Sequence, residues 1–163
     1  MSHVPFDALP DEARMWCFAA EPEPAPREAA HLLDSMQRFV EQWTAHRQDL
    51  TAGVTWVHQR FLLVGLDESG TGASGCSIDA LMGHLGDLER ELNIRLTDAS
   101  PVWYRDEEDR IQRVMREDFR KLAKSGSVGP DTPVFDLTSS NIGPIRSGGL
   151  ERPASTSWHA RLL

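Results

Sequence analysis

The sequence predicts an α+β protein: a ferredoxin-like βαββαβ sheet, followed by a C-terminal β-α-β extension and an irregular tail. Three observations lead there. Two nearly continuous apolar runs, Arg14-Met-Trp-Cys-Phe-Ala19 and Phe61-Leu-Leu-Val-Gly-Leu-Asp67, read as strands buried on both faces. Between them, Leu50, Ala52, Val54 and Trp56 alternate with Thr51, Gly53 and Thr55, as an outer strand with one wetter face should. Each apolar run is followed by a stripe of apolar residues at helical spacing. In a split βαβ arrangement the first and third strands lie inside the sheet and the second at its edge, which is how the apolar patterns are distributed. The short His58-Gln-Arg60 connection reads as a hairpin turn and argues against a doubly wound sheet.

Taken in order, residues 1–13 form a loose lead-in punctuated by Pro5 and Pro10. The alternating prolines of Glu21-Pro-Glu-Pro-Ala-Pro26 exclude helix and ladder. From Arg27 to about Arg47 the spacing of Ala29, Leu32, Leu33, Met36, Val40 and Trp43 predicts one long amphipathic helix. A second helix begins at Ile78, with Leu81, Met82, Leu85, Leu88 and Leu92 on its stripe and Ser77 as its expected N-cap. Residues 101–105 and 110–115 are strand candidates joined by the acidic turn Asp106-Glu-Glu-Asp109. Phe119, Leu122 and Ala123 follow at helical spacing, and Gly126 is a suitable stop. A last short strand covers 132–137. The expected organisation is a single domain, with a core over 14–105, an extension over 106–137 and an irregular segment over 138–163.

The composition is that of a soluble globular chain, 40% hydrophobic and 26% charged over 163 residues. A net charge of −8 argues against nucleic acid or an anionic membrane surface as the main partner. The basic residues of 110–124 are interleaved with acids and read as a solvated helix face. No apolar run is long enough to span a bilayer and no secretory leader is evident, so the expected location is cytoplasmic. The two cysteines, Cys17 and Cys76, are expected to be reduced, Cys17 inside a strand. His31, His46 and His84 lie on or beside helices and are expected to be solvated or half-buried. No histidines sit at i, i+3 or i+4 and there is no C-x-x-C, so neither a metal site nor a cofactor is expected.

The most informative stretch is Gly70-Thr-Gly-Ala-Ser-Gly-Cys-Ser77, a glycine loop running from a strand into a helix start. Such a loop points backbone N–H groups at one spot, so Gly72, Ser74, Gly75 and Ser77 are the expected anion-binding residues. Cys76 stands where a helix N-terminus favours a thiolate, which suggests thiol chemistry with His159 as base and Asp67 orienting the imidazole. In this picture Trp158 and Arg161, in Ser157-Trp-His-Ala-Arg161, close the tail over the site. The competing reading is a non-enzymatic interaction protein that docks on a protein partner, with the loop a tight connection and the tail an exposed peptide. The loop differs from a phosphate-binding G-x-x-x-x-G-K-[ST] sequence by the cysteine at position 76. The missing lysine removes the charge that would meet the β/γ-phosphates, which makes ATPase activity the weakest reading.

At Asp67-Glu-Ser-Gly-Thr-Gly-Ala-Ser-Gly-Cys-Ser-Ile-Asp79 and Ser157-Trp-His159 the chain resembles a family of small bacterial proteins, some labelled "ABC transporter ATPase". The likeness extends from Leu9-Pro-Asp-Glu-Ala-Arg14 through Gln42-Trp-Thr-Ala-His46 to the tail. It implies no particular activity for this chain, which has neither the loop lysine nor an L-S-G-G-Q sequence. What it implies is that the glycine loop and the Trp-His tail recur together.

Overall fold

The computed structural model describes residues 3–163. The fold is α+β with antiparallel sheets. Its contacts fall into two compact units where the sequence leads to one domain. The first comprises the residues up to Asp98 together with Ser139–Gly143, the second Ala99–Thr138 with Pro144–Leu163.

The first unit holds β1 (Arg14–Ala19), α1 (Pro26–Glu41), the two-residue strands β2 (Thr44–Ala45) and β3 (Gln48–Asp49), β4 (Thr51–Val57), β5 (Phe61–Asp67) and α2 (Gly75–Leu92). Its main sheet has the order β1-β5-β4, antiparallel throughout, with Cys17 opposite Leu63 and Thr55 opposite Leu63 on the other side. The central strand is thus the most continuously apolar one, and β4 is an edge, as its alternation requires. His58 and Gln59 both adopt positive φ in the β4–β5 turn, the conformation of a tight hairpin.

The expected fourth strand of this sheet does not join it. Residues 102–105 are built into the second unit instead. The outer side of β1 is met at its two ends by irregular chain: Arg14 bridges to Asn141, and Glu21 to Arg95. The apolar character of Val102 and Trp103 could not distinguish between sheets, because either one buries them. The lead-in is not loose either. Phe6 and Leu9 are buried, and the arm crosses β4 so closely that a Cβ on Gly53 would lie 2.4 Å from the Val4 carbonyl oxygen.

Helix α1 opens on Pro26, with the Glu28 carboxylate accepting from the Ala25 amide. It buries Leu32, Met36 and Val40 and ends at Glu41, six residues short of the expected boundary. Trp43 extends the apolar stripe but leaves the helix. The next residues turn back on themselves as β2–β3, with His46 and Arg47 at positive φ and the Leu50 amide donating to the Trp43 carbonyl. Helix α2 packs Leu81, Leu85 and Leu88 into the same core. Asn93 closes it in the left-handed conformation.

The second unit contains β6 (Val102–Arg105), β7 (Ile111–Val114), α3 (Arg116–Lys124), β8 (Pro133–Phe135) and β9 (Glu151–Pro153), with the strands in the order β7-β6-β8-β9. A short helix, α4 (Gly143–Gly148), precedes β9. The 106–109 turn forms as expected, held by Asp106, whose Oδ1 accepts from the Glu108 and Arg110 amides. The 138–163 segment is not irregular: beyond α4 and β9 it forms 3-10 turns at Ala154–Thr156 and Trp158–Leu162. Sequence periodicity is silent on such short elements. Among the described residues, no helix is long and apolar enough to cross a membrane.

Candidate functional site

The glycine loop is organised by its own side chains. Asp67 Oδ1 accepts from the Ser69 amide, and the Glu68 carboxylate accepts from the Ala73 amide at 2.9 Å. Glu68 also lies against Gly72, 3.0 Å from where a Cβ would stand. An exposed internal carboxylate is therefore bound within the loop, beside Gly72 of the residues expected to receive an external anion, while the space at Gly75 stays open. Asp67 does not orient an imidazole; the bond from Ser69 instead holds its carboxyl below the usual range.

The N-cap of α2 is Ser74 rather than Ser77. Ser74 Oγ accepts from the Ser77 amide at 3.1 Å, and Ser77 Oγ accepts from the Ser74 amide at 2.7 Å, a reciprocal pair that closes the first turn. Either serine could serve by type. Ser74 wins because Gly75 and Cys76 then enter the helix, and Ser77 can bury its side chain beneath it. Cys76 is accordingly exposed, inside the first turn.

That exposed turn borders a cleft of about 670 Å³ within the first unit. Ser74, Cys76, Ser77, Ala80 and His84 line it from α2; Ser35, Arg38, Phe39 and Gln42 from α1; Trp43, Thr44, Ala45 and His46 from the turn that follows. None of these is acidic, although the chain has 25 Asp and Glu residues. The walls are fixed from behind. Trp43 Nε1 donates to the Ser77 carbonyl at 2.8 Å, tying the end of α1 to the start of α2. Phe39 stacks on His84 with centroids 4.9 Å apart and meets Trp43 at 5.5 Å. His84 Nε2 pairs with Ser35 Oγ at 3.0 Å, and burial of the ring lowers its pKa. Arg38, by contrast, is 64% exposed and pairs with the similarly exposed Asp34.

His159 belongs to the second unit and is 1% exposed. Its Nδ1 lies 2.8 Å from Ser157 Oγ, and Ser157 donates to Asp136 Oδ2 at 3.1 Å. An ionised carboxylate can only accept, so the hydroxyl proton goes to Asp136 and the ring supplies the Nδ1 proton. This order, carboxylate then hydroxyl then imidazole, is not that of a nucleophilic triad, in which the imidazole stands in the middle. Burial, opposed in part by Asp136 and reinforced by Arg116, brings the His159 pKa down to about 4. Burial disfavours ionisation of Asp136 as well, but hydrogen bonds from Thr138 and Ser157 outweigh it and hold this carboxyl below its usual range. Trp158 stacks on the His159 ring at 4.0 Å and carries Arg116 over its face at 4.8 Å. The tail is thus not a wholly exposed peptide: its partners are α3 and the strand end at Asp136, His159 and Leu162 are buried, and Ala160, Arg161 and Leu163 are exposed.

Cys76 and His159 fall in different units, and the partners described for His159 are all of its own unit. Of the residues expected to bind an anion, Ser74 and Ser77 share the cleft with Cys76, whereas its other polar lining residues, Arg38, Gln42, His46 and His84 among them, are not marked by the sequence as site residues. Ala80 and His84 follow Cys76 at four-residue intervals on α2, and Arg38 and Gln42 repeat that interval on α1. Those spacings were legible; that the two helix ends converge was not. A second hollow, of about 590 Å³ in the second unit, is lined by Asp106, Glu107, Glu108 and Asp131 and has the opposite electrostatic character. Among the described residues no group of three or more His, Cys, Asp or Glu is placed to hold a metal ion. Comparison with protein-family models, curated proteins and solved structures finds no match to this chain.

Proposed function

We propose that the protein binds a small organic anion, a carboxylate or phosphate ester, in the cleft between the end of α1 and the start of α2. The observation that carries this reading is a lining free of carboxylates, with Arg38, His46 and His84 in it, on a chain of net charge −8. Ser35, Gln42 and Thr44 add hydrogen-bonding groups, and the volume suits a metabolite-sized molecule better than a bare inorganic ion. The start of α2 contributes the positive end of its dipole to the same space. The glycine loop serves by setting that helix start, and its Ala73 amide is taken by Glu68. ATP hydrolysis gains no support from a loop with a carboxylate inside it and cysteine in place of the lysine.

The reading is of binding rather than turnover. His84 stands eight residues along α2 from Cys76, a rise of about 12 Å, too far to take the thiol proton directly. Calorimetry with citrate and sulfate at low ionic strength tests the proposal. Binding at millimolar concentration or tighter is expected, weakened about tenfold or more by Arg38→Glu, and bound citrate should slow alkylation of Cys76 by iodoacetamide. Absence of binding, or an affinity indifferent to Arg38→Glu, overturns it.

A further inference from the structure

The cleft contains one imidazole whose surroundings are defined on every side. His84 is half-buried, with Phe39 against its face and Ser35 Oγ 3.0 Å from Nε2. The charged groups acting on it are Arg38 from α1, and Asp87 and Glu91 from its own helix. Asp87 is paired with Arg90 and Glu91 with His31, so both acids have other partners. His46, from the turn after α1, lines the same cleft. The resting ring is therefore held neutral chiefly by burial, with Asp87 and Glu91 favouring its charged form and Arg38 opposing it more weakly, while no carboxylate lines the cleft itself.

We propose that His84 takes up a proton as an anion enters the cleft, so that the site holds its ligand more tightly as the pH falls. This rests on the reading of the cleft as an anion site. An anion brought into the lining adds to the charges of Asp87 and Glu91 on the side of the ring that has no carboxylate, and an opposite charge within about 4–6 Å favours the imidazolium. Ser35 makes the change possible without moving the ring. Its hydroxyl can donate to Nε2 when the imidazole is neutral and, after rotation, accept from Nε2–H when it is charged. By linkage, a ligand that raises the protonation of His84 must bind more tightly when His84 is already protonated.

Sulfate is the probe, because its charge is constant between pH 5.5 and 8 and any slope belongs to the protein. Its Kd, measured by calorimetry, is expected to fall about tenfold from pH 8 to pH 5.5, as one linked proton allows. His84→Gln should remove the slope, whereas His58→Gln, at a histidine outside the cleft lining, should keep it. In the wild-type chain, the NMR titration midpoint of the His84 Cε1 proton should move upward with saturating sulfate, a measurement that requires no variant to fold. Sulfate binding with a flat pH profile, a slope that survives His84→Gln, or an unmoved midpoint each overturns the proposal and leaves the anion site standing. No sulfate binding at any pH overturns this proposal, and absence of citrate binding as well overturns both.

Discussion

Replacing His159 by glutamine should flatten the acid limb of the stability curve by a calculable amount. An imidazole in the unfolded chain titrates near 6.5, whereas in the fold burial lowers this one to about 4. On acidification the unfolded state takes its proton first. This contribution is therefore present at neutral pH, falls as the pH drops below about 6.5 and is exhausted near pH 4. At 1.36 kcal/mol per tenfold, the full loss is about 3 kcal/mol, of which about 2.5 kcal/mol has gone by pH 4.5. Asp136 also loses its contribution in acid, but its pKa is held low, so that loss falls at lower pH. The assay is urea unfolding of the wild type and His159→Gln at pH 7 and pH 4.5, compared as the change between the two conditions. The packing cost of the substitution cancels in that comparison, as do the acidic groups the two proteins share. The wild type should lose about 2.5 kcal/mol more than the variant. Equal losses, or an NMR midpoint for His159 near 6.5 in the folded protein, would refute the claim that this ring is sealed in neutral form.

The N-cap assignment predicts that Ser74→Ala costs about 1 kcal/mol, measurable by chemical denaturation. A cost no larger than that of an exposed surface serine would mean that the reciprocal bonds with Ser77 carry nothing. Gly53→Ala should destabilise by ~2 kcal/mol, since its Cβ would meet a main-chain oxygen that cannot rotate away. Calorimetric melting reads this as a Tm lowered by several degrees, and an unchanged Tm would show that the N-terminal arm does not cross β4 there.

Local structure was the readable part of this sequence. The two continuous apolar runs became paired strands and the alternating run an edge, although the first run, expected inside the sheet, is an edge as well; both long stripes became helices. Each pattern records which face of an element is buried, and that information is contained within ten or twenty residues. Where α1 ended was not readable, because Trp43 buries its ring whether the backbone beneath it is helical or turning. The fourth strand went to another sheet for a related reason: apolarity demands burial but does not name the partner. The glycine loop is legible as the entry to a helix, yet the bond from its Ala73 amide to the Glu68 carboxylate is visible only once the chain has turned back on itself.

The cleft is the clearest product of tertiary structure. Arg38, His46 and His84 are separated by 8 to 46 residues and share no motif; they line one space because α1 and α2 bury their stripes against the same sheet and Trp43 ties their ends together. Sequence alone determined that two amphipathic helices flank an antiparallel hairpin, since hydrophobic periodicity is a local property. Packing decided which polar residues those helices left facing each other, because that depends on the angle and register at which two distant segments meet.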